Sequence, residues 1–393
     1  MNCNDFPLQS LISGSWFKLI CGASFQHVPS IRSLVIAYGL EGAGCIDVAA
    51  EPAVVAAAQE GLAACERLTI AKKSHQNSQN YPQQNQQNYP HHNQQQDDRW
   101  RKPWLMVSVN DGEDPHFRTA RFDPKRCPAD CPRPCERVCP TGAIALNSAA
   151  PGVNEPLCYG CGRCLSVCPH GYIDAVTYQR SPQDLPDLVL DLGIDALEIH
   201  THVGHYQQFQ TLWRSVRPYL PNLKLVAVSC PRHPEAISYL GDLWDWVAKD
   251  VRRAGCAWLW QTDGKPMSGD LGQKATDPAI AYGEDLLKTN LPGFIQLAGG
   301  TNQTTADKLC QRGLMGKIAG VAYGGYGRSQ LKPVLDQLER REQQCNQTLT
   351  LESQTDLLHQ GRASARNLIA PLKGSVPPHS PAVLTPIPLN QSL

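Results

Sequence analysis

The chain has 393 residues, with 36 basic side chains balancing 36 acidic ones and 41% of residues hydrophobic. That length allows two or three domains, or one large α/β domain carrying an insertion. The balance of charge gives nucleic acid no electrostatic hold, no apolar run reaches the roughly 18 residues of a membrane span, and MNCNDFPLQSLISG has no basic region ahead of an apolar core, so a cytoplasmic protein is expected.

In chain order, strands are expected at WFKLICGAS from Trp16, CIDVAAEP from Cys45 and PWLMVSVN from Pro103. Helical patterns follow the first two, in PSIRSLVIAYGLEG and PAVVAAAQEGLAACERL. The Gln/Asn-rich tract from Ser74 to Asp98 interrupts the series and is expected to be disordered.

Next comes a segment from Cys127 to Cys168 that holds eight of the sixteen cysteines. In a cytoplasmic chain such density points to metal rather than disulfides. Cys158, Cys161 and Cys164 are spaced C-x2-C-x2-C, with Cys168-Pro169 following after three residues, which is the bacterial ferredoxin ligand run. Cys127, Cys131, Cys135 and Cys139 are spaced by three residues throughout, and Cys139 is again followed by proline. The echo of CPTGAIAL in CPHGYIDAV reads as an internal repeat. Structural zinc is the alternative, but it prefers paired C-x2-C knuckles. Two such halves resemble a two-cluster bacterial-type ferredoxin domain. The resemblance implies one 4Fe-4S cluster on Cys158, Cys161, Cys164 and Cys139, and a second, 4Fe-4S or 3Fe-4S, on Cys127, Cys131, Cys135 and Cys168.

Five further strands are expected, at ALEIHTHV from Ala196, LKLVAVSC from Leu223, CAWLWQTDG from Cys256, GFIQLAGGT from Gly293 and IAGVAYGGYG from Ile318. Eight strand-helix units predict a (β/α)8 barrel, with a doubly wound open sheet as the alternative. The ferredoxin-like insertion then falls after the third strand, in a loop over the barrel's C-terminal mouth, and PQDLPDLVLDLG supplies the third helix. The expected organisation is residues 1–110 for the first part of the barrel, with the disordered insert at 74–98, and 111–179 for the iron-sulfur domain. The second part of the barrel is 180–345, and 346–393 is a largely disordered C-terminal extension.

The last two strands end in Gly299-Gly300 and in Gly324-Gly325, the latter followed by Arg328. Loops at these positions in such barrels bind phosphate through backbone N–H groups, so these five residues are the candidate site for FMN or another phosphate-bearing ligand, tight turns being the alternative. With DGKPMSGDLG they resemble the flavin-phosphate end of dihydroorotate-dehydrogenase-type barrels. Glu198, His200 and His202 share one strand face and are expected at the mouth, as are Asp47, Asn110, Ser229, Gln261 and Asp263. No Ser-His-Asp or Cys-His pattern names a nucleophile, so no catalytic residue is assigned.

The opening GSWFKLICGASFQHVPSIRSLVIAYGLEGAGCIDVAAEPAVVAAA, the double cysteine motif, ALEIHTHVGH, QTDGKPMSGDLG and GVAYGGYGRSQLKP together resemble the light-dependent period family of cyanobacteria. What the resemblance implies is an iron-sulfur regulatory protein that senses redox state, set by photosynthetic electron flow, and passes it to the circadian clock, with clock input or oscillator proteins as partners. The alternative is a flavin-dependent oxidoreductase in which the clusters carry electrons to FMN in the barrel mouth, with Lys265 as the cation near the flavin.

Overall fold

The protein is seen in a computed structural model, which describes residues 5–21, 28–79, 100–112, 118–139, 142–147, 151–158, 163–177, 187–264 and 274–374. The chain opens with α1 (Phe6–Ile12), β1 (Trp16–Ile20), α2 (Val28–Leu40), β2 (Cys45–Ala49), α3 (Pro52–Gln79) and β3 (Trp104–Asn110). The cysteine-rich insertion follows, with β4 (Arg118–Arg121), α4 (Pro134–Val138), β5 (Ile144–Ala145), β6 (Gly152–Val153), α5 (Arg163–Val167) and β7 (Asp174–Thr177). The chain then resumes as β8 (Ala196–His200), α6 (Tyr206–Val216), β9 (Leu225–Pro231), α7 (Ala236–Ala254), β10 (Ala257–Asp263), α8 (Asp277–Leu287) and β11 (Phe294–Ala298). It ends with α9 (Thr305–Gln311), β12 (Gly320–Tyr323), α10 (Gly325–Cys345) and α11 (Thr355–Gly374).

Strands β1, β2, β3, β8, β9, β10, β11 and β12 pair in that order and close into one barrel. The closing pair is parallel, with Trp16 opposite Gly320; a Cβ at Gly320 would lie 2.1 Å from the Trp16 carbonyl oxygen, so the strands meet there only because the residue is glycine. The expected (β/α)8 barrel is thus the observed fold, and the ring leaves no open sheet edge.

Both strand faces are buried, which explains why the strands read as continuous apolar runs. Outward residues such as Phe17, Leu19, Val107, Val228, Trp258 and Trp260 pack under the helices. Inward residues Trp16, Cys45, Trp104, Met106, Leu225, Leu259 and Phe294 fill the lower barrel, against which Leu11 of α1 packs. The barrel is therefore a packed core below its mouth.

Three expectations are refined. The third helical layer, expected over PQDLPDLVLDLG, contributes among the described residues a single π-helical turn, Asp187–Asp191. The Gln/Asn-rich tract begins inside α3, which runs on to Gln79; its remainder, 80–98, lies outside the described residues. Residues 346–393 were expected to be a largely disordered extension, and here the structure corrects the reading. Helix α11 buries Leu357, Ala365, Leu368, Ile369 and Leu372, and its Gly361 lies against Ala37, Leu331 and Val334. Burying each large apolar side chain contributes about 1.5–3 kcal/mol, enough to order the segment. Arg362 and Arg366 pair with Glu41, and Arg32 with Glu352. Residues 375–393 lie outside the described residues. No helix among the described residues is long and apolar enough to cross a membrane.

Candidate functional site: a cysteine-rich unit and a polar barrel interior

The insertion starts and ends on one antiparallel pair, β4 with β7, where Arg121 faces Asp174. Inside that clasp, two halves follow the same local plan. A 3-10 turn ends on the first cysteine, Cys127 after Pro124–Arg126 and Cys158 after Glu155–Leu157. A short helix carries the third, Cys135 in α4 and Cys164 in α5, and the fourth, Cys139 or Cys168, follows directly. Each fourth sulfur then accepts a backbone N–H from four residues on: Ala143 to Cys139 Sγ at 3.2 Å, and Tyr172 to Cys168 Sγ at 3.4 Å. Arg133, just before α4, is held in the left-handed region at φ 50°.

The centre of the unit is built from Ala120, Cys135, Ile144, Cys164 and Ile173, with Cys139, Cys158 and Cys168 packed against it. So small an apolar core does not hold a unit of this size without a staple. Thiolates gathered at the centre, with backbone N–H groups aimed at sulfur, are the donor set that an iron-sulfur cluster requires, so the residues present fit such a group. The Ala120 N–H donates to Cys158 Sγ in the same way, at 3.3 Å.

Electrostatics link the cysteines further. Burial raises the Cys127 thiol, and the neighbouring thiols of Cys131 and Cys135 add to it. Burial likewise raises Cys135, whose neighbours include Cys168. Cys168 itself is lowered: burial opposes this, but the backbone N–H groups of Tyr172, His170, Gly171 and Ile173 outweigh it and favour thiolate. Electrostatic influence thus runs from Cys127 to Cys131 and Cys135 and from Cys135 to Cys168, while Cys135, Cys139, Cys158, Cys164 and Cys168 share the one small core. Cys161 lies outside the described residues.

The barrel interior holds a second polar assembly, one layer above the apolar floor. Lys18 Nζ donates to Glu198 Oε2 and lies 3.2 Å from Asp47 Oδ2, all three being essentially without exposure. Ser108 donates to Asp47 at 2.7 Å, Gln261 donates to Glu198 Oε1 at 2.6 Å, and His200 Nε2 stands 3.0 Å from the same oxygen. The chain of amides continues from Gln296 to Gln261, and Trp16 donates to Gln296 at 2.6 Å. Burial alone would lower the Lys18 ammonium, but Asp47 and Glu198 more than offset it and hold the group charged. Burial pushes Asp47 up to about 6. Glu198, although buried, is held down at about 2 by Lys18 and His200. Two carboxylates share one ammonium, and the surplus charge falls on Asp47.

Of the expected trio, Glu198 and His200 sit in this network. His202 lies beyond the strand, its ring 5.3 Å from that of His205, which contacts Asp111. The sequence reading missed Lys18, Ser108 and Gln296. The signal was present in WFKLI, a lone charge at an inward position of an apolar strand. Among the described residues, no three His, Cys, Asp or Glu side chains converge on a site for a single metal ion.

At the expected phosphate site, Gly299 and Gly300 have φ of 69° and 88°. A Cβ at Gly300 would stand 2.2 Å from the Ala275 carbonyl oxygen, so the glycine is accounted for by chain packing. Gly324 and Gly325 start α10 at the mouth, and Arg328 Nη1 donates to the Ile20 carbonyl at 3.3 Å. Lys265 lies outside the described residues.

Residues 127–179 match the family model of the LdpA Fe-S cluster-binding domain, and residues 188–371 match that of the light dependent period A C-terminal domain, which takes in most of α11. Among solved structures, phosphonopyruvate hydrolase is similar at a TM-score of 0.35 and 12% identity, over 93% of this chain and 98% of that one, too low a likeness to bear on fold or function. The light dependent period A protein of Synechococcus elongatus is 47% identical over 377 residues, 95% of each chain, and this chain accordingly belongs to the light dependent period A family.

Proposed function

We propose that the chain is a cytoplasmic iron-sulfur regulatory protein that senses redox state and passes it to proteins of the circadian clock. The observation that carries this reading is the repeated half-unit, in which two cysteine sets share one small core and each fourth sulfur accepts a backbone N–H. The name of the Synechococcus relative, light dependent period A, supports the link to light and period. Cys139, Cys158, Cys161 and Cys164 would hold a 4Fe-4S cluster, and Cys127, Cys131, Cys135 and Cys168 a second cluster, 4Fe-4S or 3Fe-4S. A cluster supplies reversible one-electron chemistry, its potential set by hydrogen bonds to sulfur, burial and charge. The chain's own part is to aim N–H groups at sulfur and to present a surface that responds to the electron count.

Anaerobic purification with iron, acid-labile sulfide and released-flavin analysis on one sample tests the reading. About eight iron atoms per chain are expected for two 4Fe-4S clusters. Absence of sulfide would overturn it, and stoichiometric flavin would favour the oxidoreductase alternative instead. Gly300 gives FMN no support, because its conformation is already required by Ala275.

A further inference from the structure

Between α4 and α5 the surface of the cysteine-rich unit opens into a cleft of about 490 Å³, lined by Arg137, Val138, Cys139, Arg163, Ser166 and Val167. Arg137, Arg163 and Ser166 are exposed, while Val138, Val167 and Cys139 are half-buried. Two guanidinium-bearing residues therefore flank a short apolar floor that reaches a cysteine of the cluster set. Among the described residues, no carboxylate lines the cleft. Glu136, next to Arg137 in the chain, accepts from the Leu146 N–H, and Arg137 Nη1 donates to the Pro132 carbonyl at 2.9 Å, which fixes that guanidinium at the rim with its other N–H donors.

This local charge departs from the rest of the chain. Residues 118–177 carry seven Arg and Lys against five Asp and Glu, in a protein whose total is neutral. Thiolate-bound iron-sulfur clusters are themselves negative. Arginines at the rim both offset that charge and offer a visitor planar donors matched to carboxylates.

We propose that this cleft is the docking site of a small acidic protein that carries one electron. Its surface carboxylates pair with Arg137 and Arg163, and its redox centre faces Cys139 across the valine floor. The inference rests on the cluster reading above and names the partner class that delivers the redox signal. One electron leaves the reduced centre of the carrier and is taken up by the cluster held through Cys139, with no bond made or broken and no proton moved. The carrier departs oxidised by one electron. Docking of this kind is electrostatically steered and transient, so it weakens with salt.

The test uses the full chain, purified anaerobically with its iron and sulfide measured, and an acidic plant-type 2Fe-2S ferredoxin as probe. Binding is followed by calorimetry at rising ionic strength, and a basic cytochrome c serves as the control of opposite charge. Affinity for the ferredoxin should fall with salt, and cytochrome c should bind at least about tenfold more weakly. Arg137→Glu with Arg163→Glu should weaken ferredoxin binding by about tenfold at low salt, with iron content and visible spectrum unchanged. Ser166→Glu adds a negative charge to the cleft without removing either arginine and should act in the same direction, which keeps the test valid if the double variant loses its clusters. Full clusters with unaltered affinity in these variants, or salt-insensitive binding in the parent, would overturn the docking site alone. A parent chain without sulfide would overturn the cluster reading and the proposal with it.

Discussion

Lys18 and Glu198 stand 180 residues apart in the chain and meet at the centre of the barrel, where the ammonium donates to a carboxylate and neither side chain has any solvent exposure. A buried pair of this kind is poor evidence of net stabilisation, but breaking it from one side strands the other charges. Lys18→Met is expected to lower unfolding stability by about 3–5 kcal/mol, measured by urea denaturation, because Asp47 and Glu198 are left without a counter-charge. Adding Asp47→Asn and Glu198→Gln should recover much of that loss. A cost below about 1 kcal/mol for Lys18→Met would show that water or a proton already compensates the carboxylates.

The same triad sets a pH dependence with two limbs. Asp47 is raised in the folded state to about 6, so the fold binds its proton more tightly than the unfolded chain does, and stability falls as pH rises toward 6. Glu198 is lowered to about 2, so its contribution is present above its ordinary value and is lost as pH drops from about 4.5 toward 2. From this pair stability should peak near pH 4 and decline on both sides. In Asp47→Asn the decline between pH 4 and 6 should disappear while the acid limb remains. An unchanged upper limb in chemical denaturation across pH would assign it to another group.

Helix α11 acts as part of the barrel wall, so removing residues from 350 onward should cost cooperativity as well as stability. The single substitution Ile369→Ala, at a side chain 2% exposed, is expected to cost about 2–5 kcal/mol in denaturant unfolding. A cost below about 0.5 kcal/mol for Ile369→Ala would contradict the packing seen here.

Much of the fold was legible because barrel strands, buried on both faces, read as short apolar runs between amphipathic helices. Their starts at Trp16, Cys45 and Ala196 coincide with the strands observed. What escaped has a physical reason in each case. Helix α11 carries Gly361 and Pro371, and its Gly361 packs close to Ala37 of α2 and Leu331 and Val334 of α10, partners that no local window reports. Lys18 was not singled out because its partners are supplied by β2 and β8, remote in sequence. The glycine pair at 299–300 was read as an anion cradle with a tight turn as the alternative, and the backbone of Ala275 against Gly300, remote from any local window, is what accounts for that glycine. The cysteines were the reverse case, since ligand spacing on one loop is local chemistry.

The crossed ligation proposed for the cysteines makes a prediction that single-loop binding does not. Cys168 follows α5 in the second half, yet it lies in the electrostatic neighbourhood of Cys135 in the first. If Cys127, Cys131, Cys135 and Cys168 hold one cluster, Cys135→Ala and Cys168→Ala should each remove about half the iron, and the double variant should remove no more than either alone. Cys139→Ala combined with Cys168→Ala should instead remove nearly all of it, although both residues end equivalent helices. Iron and acid-labile sulfide per chain, measured anaerobically, decide between the patterns. Were each half to hold its own cluster, Cys139→Ala with Cys135→Ala would spare half the iron, whereas crossed ligation predicts that this pair, too, loses both clusters.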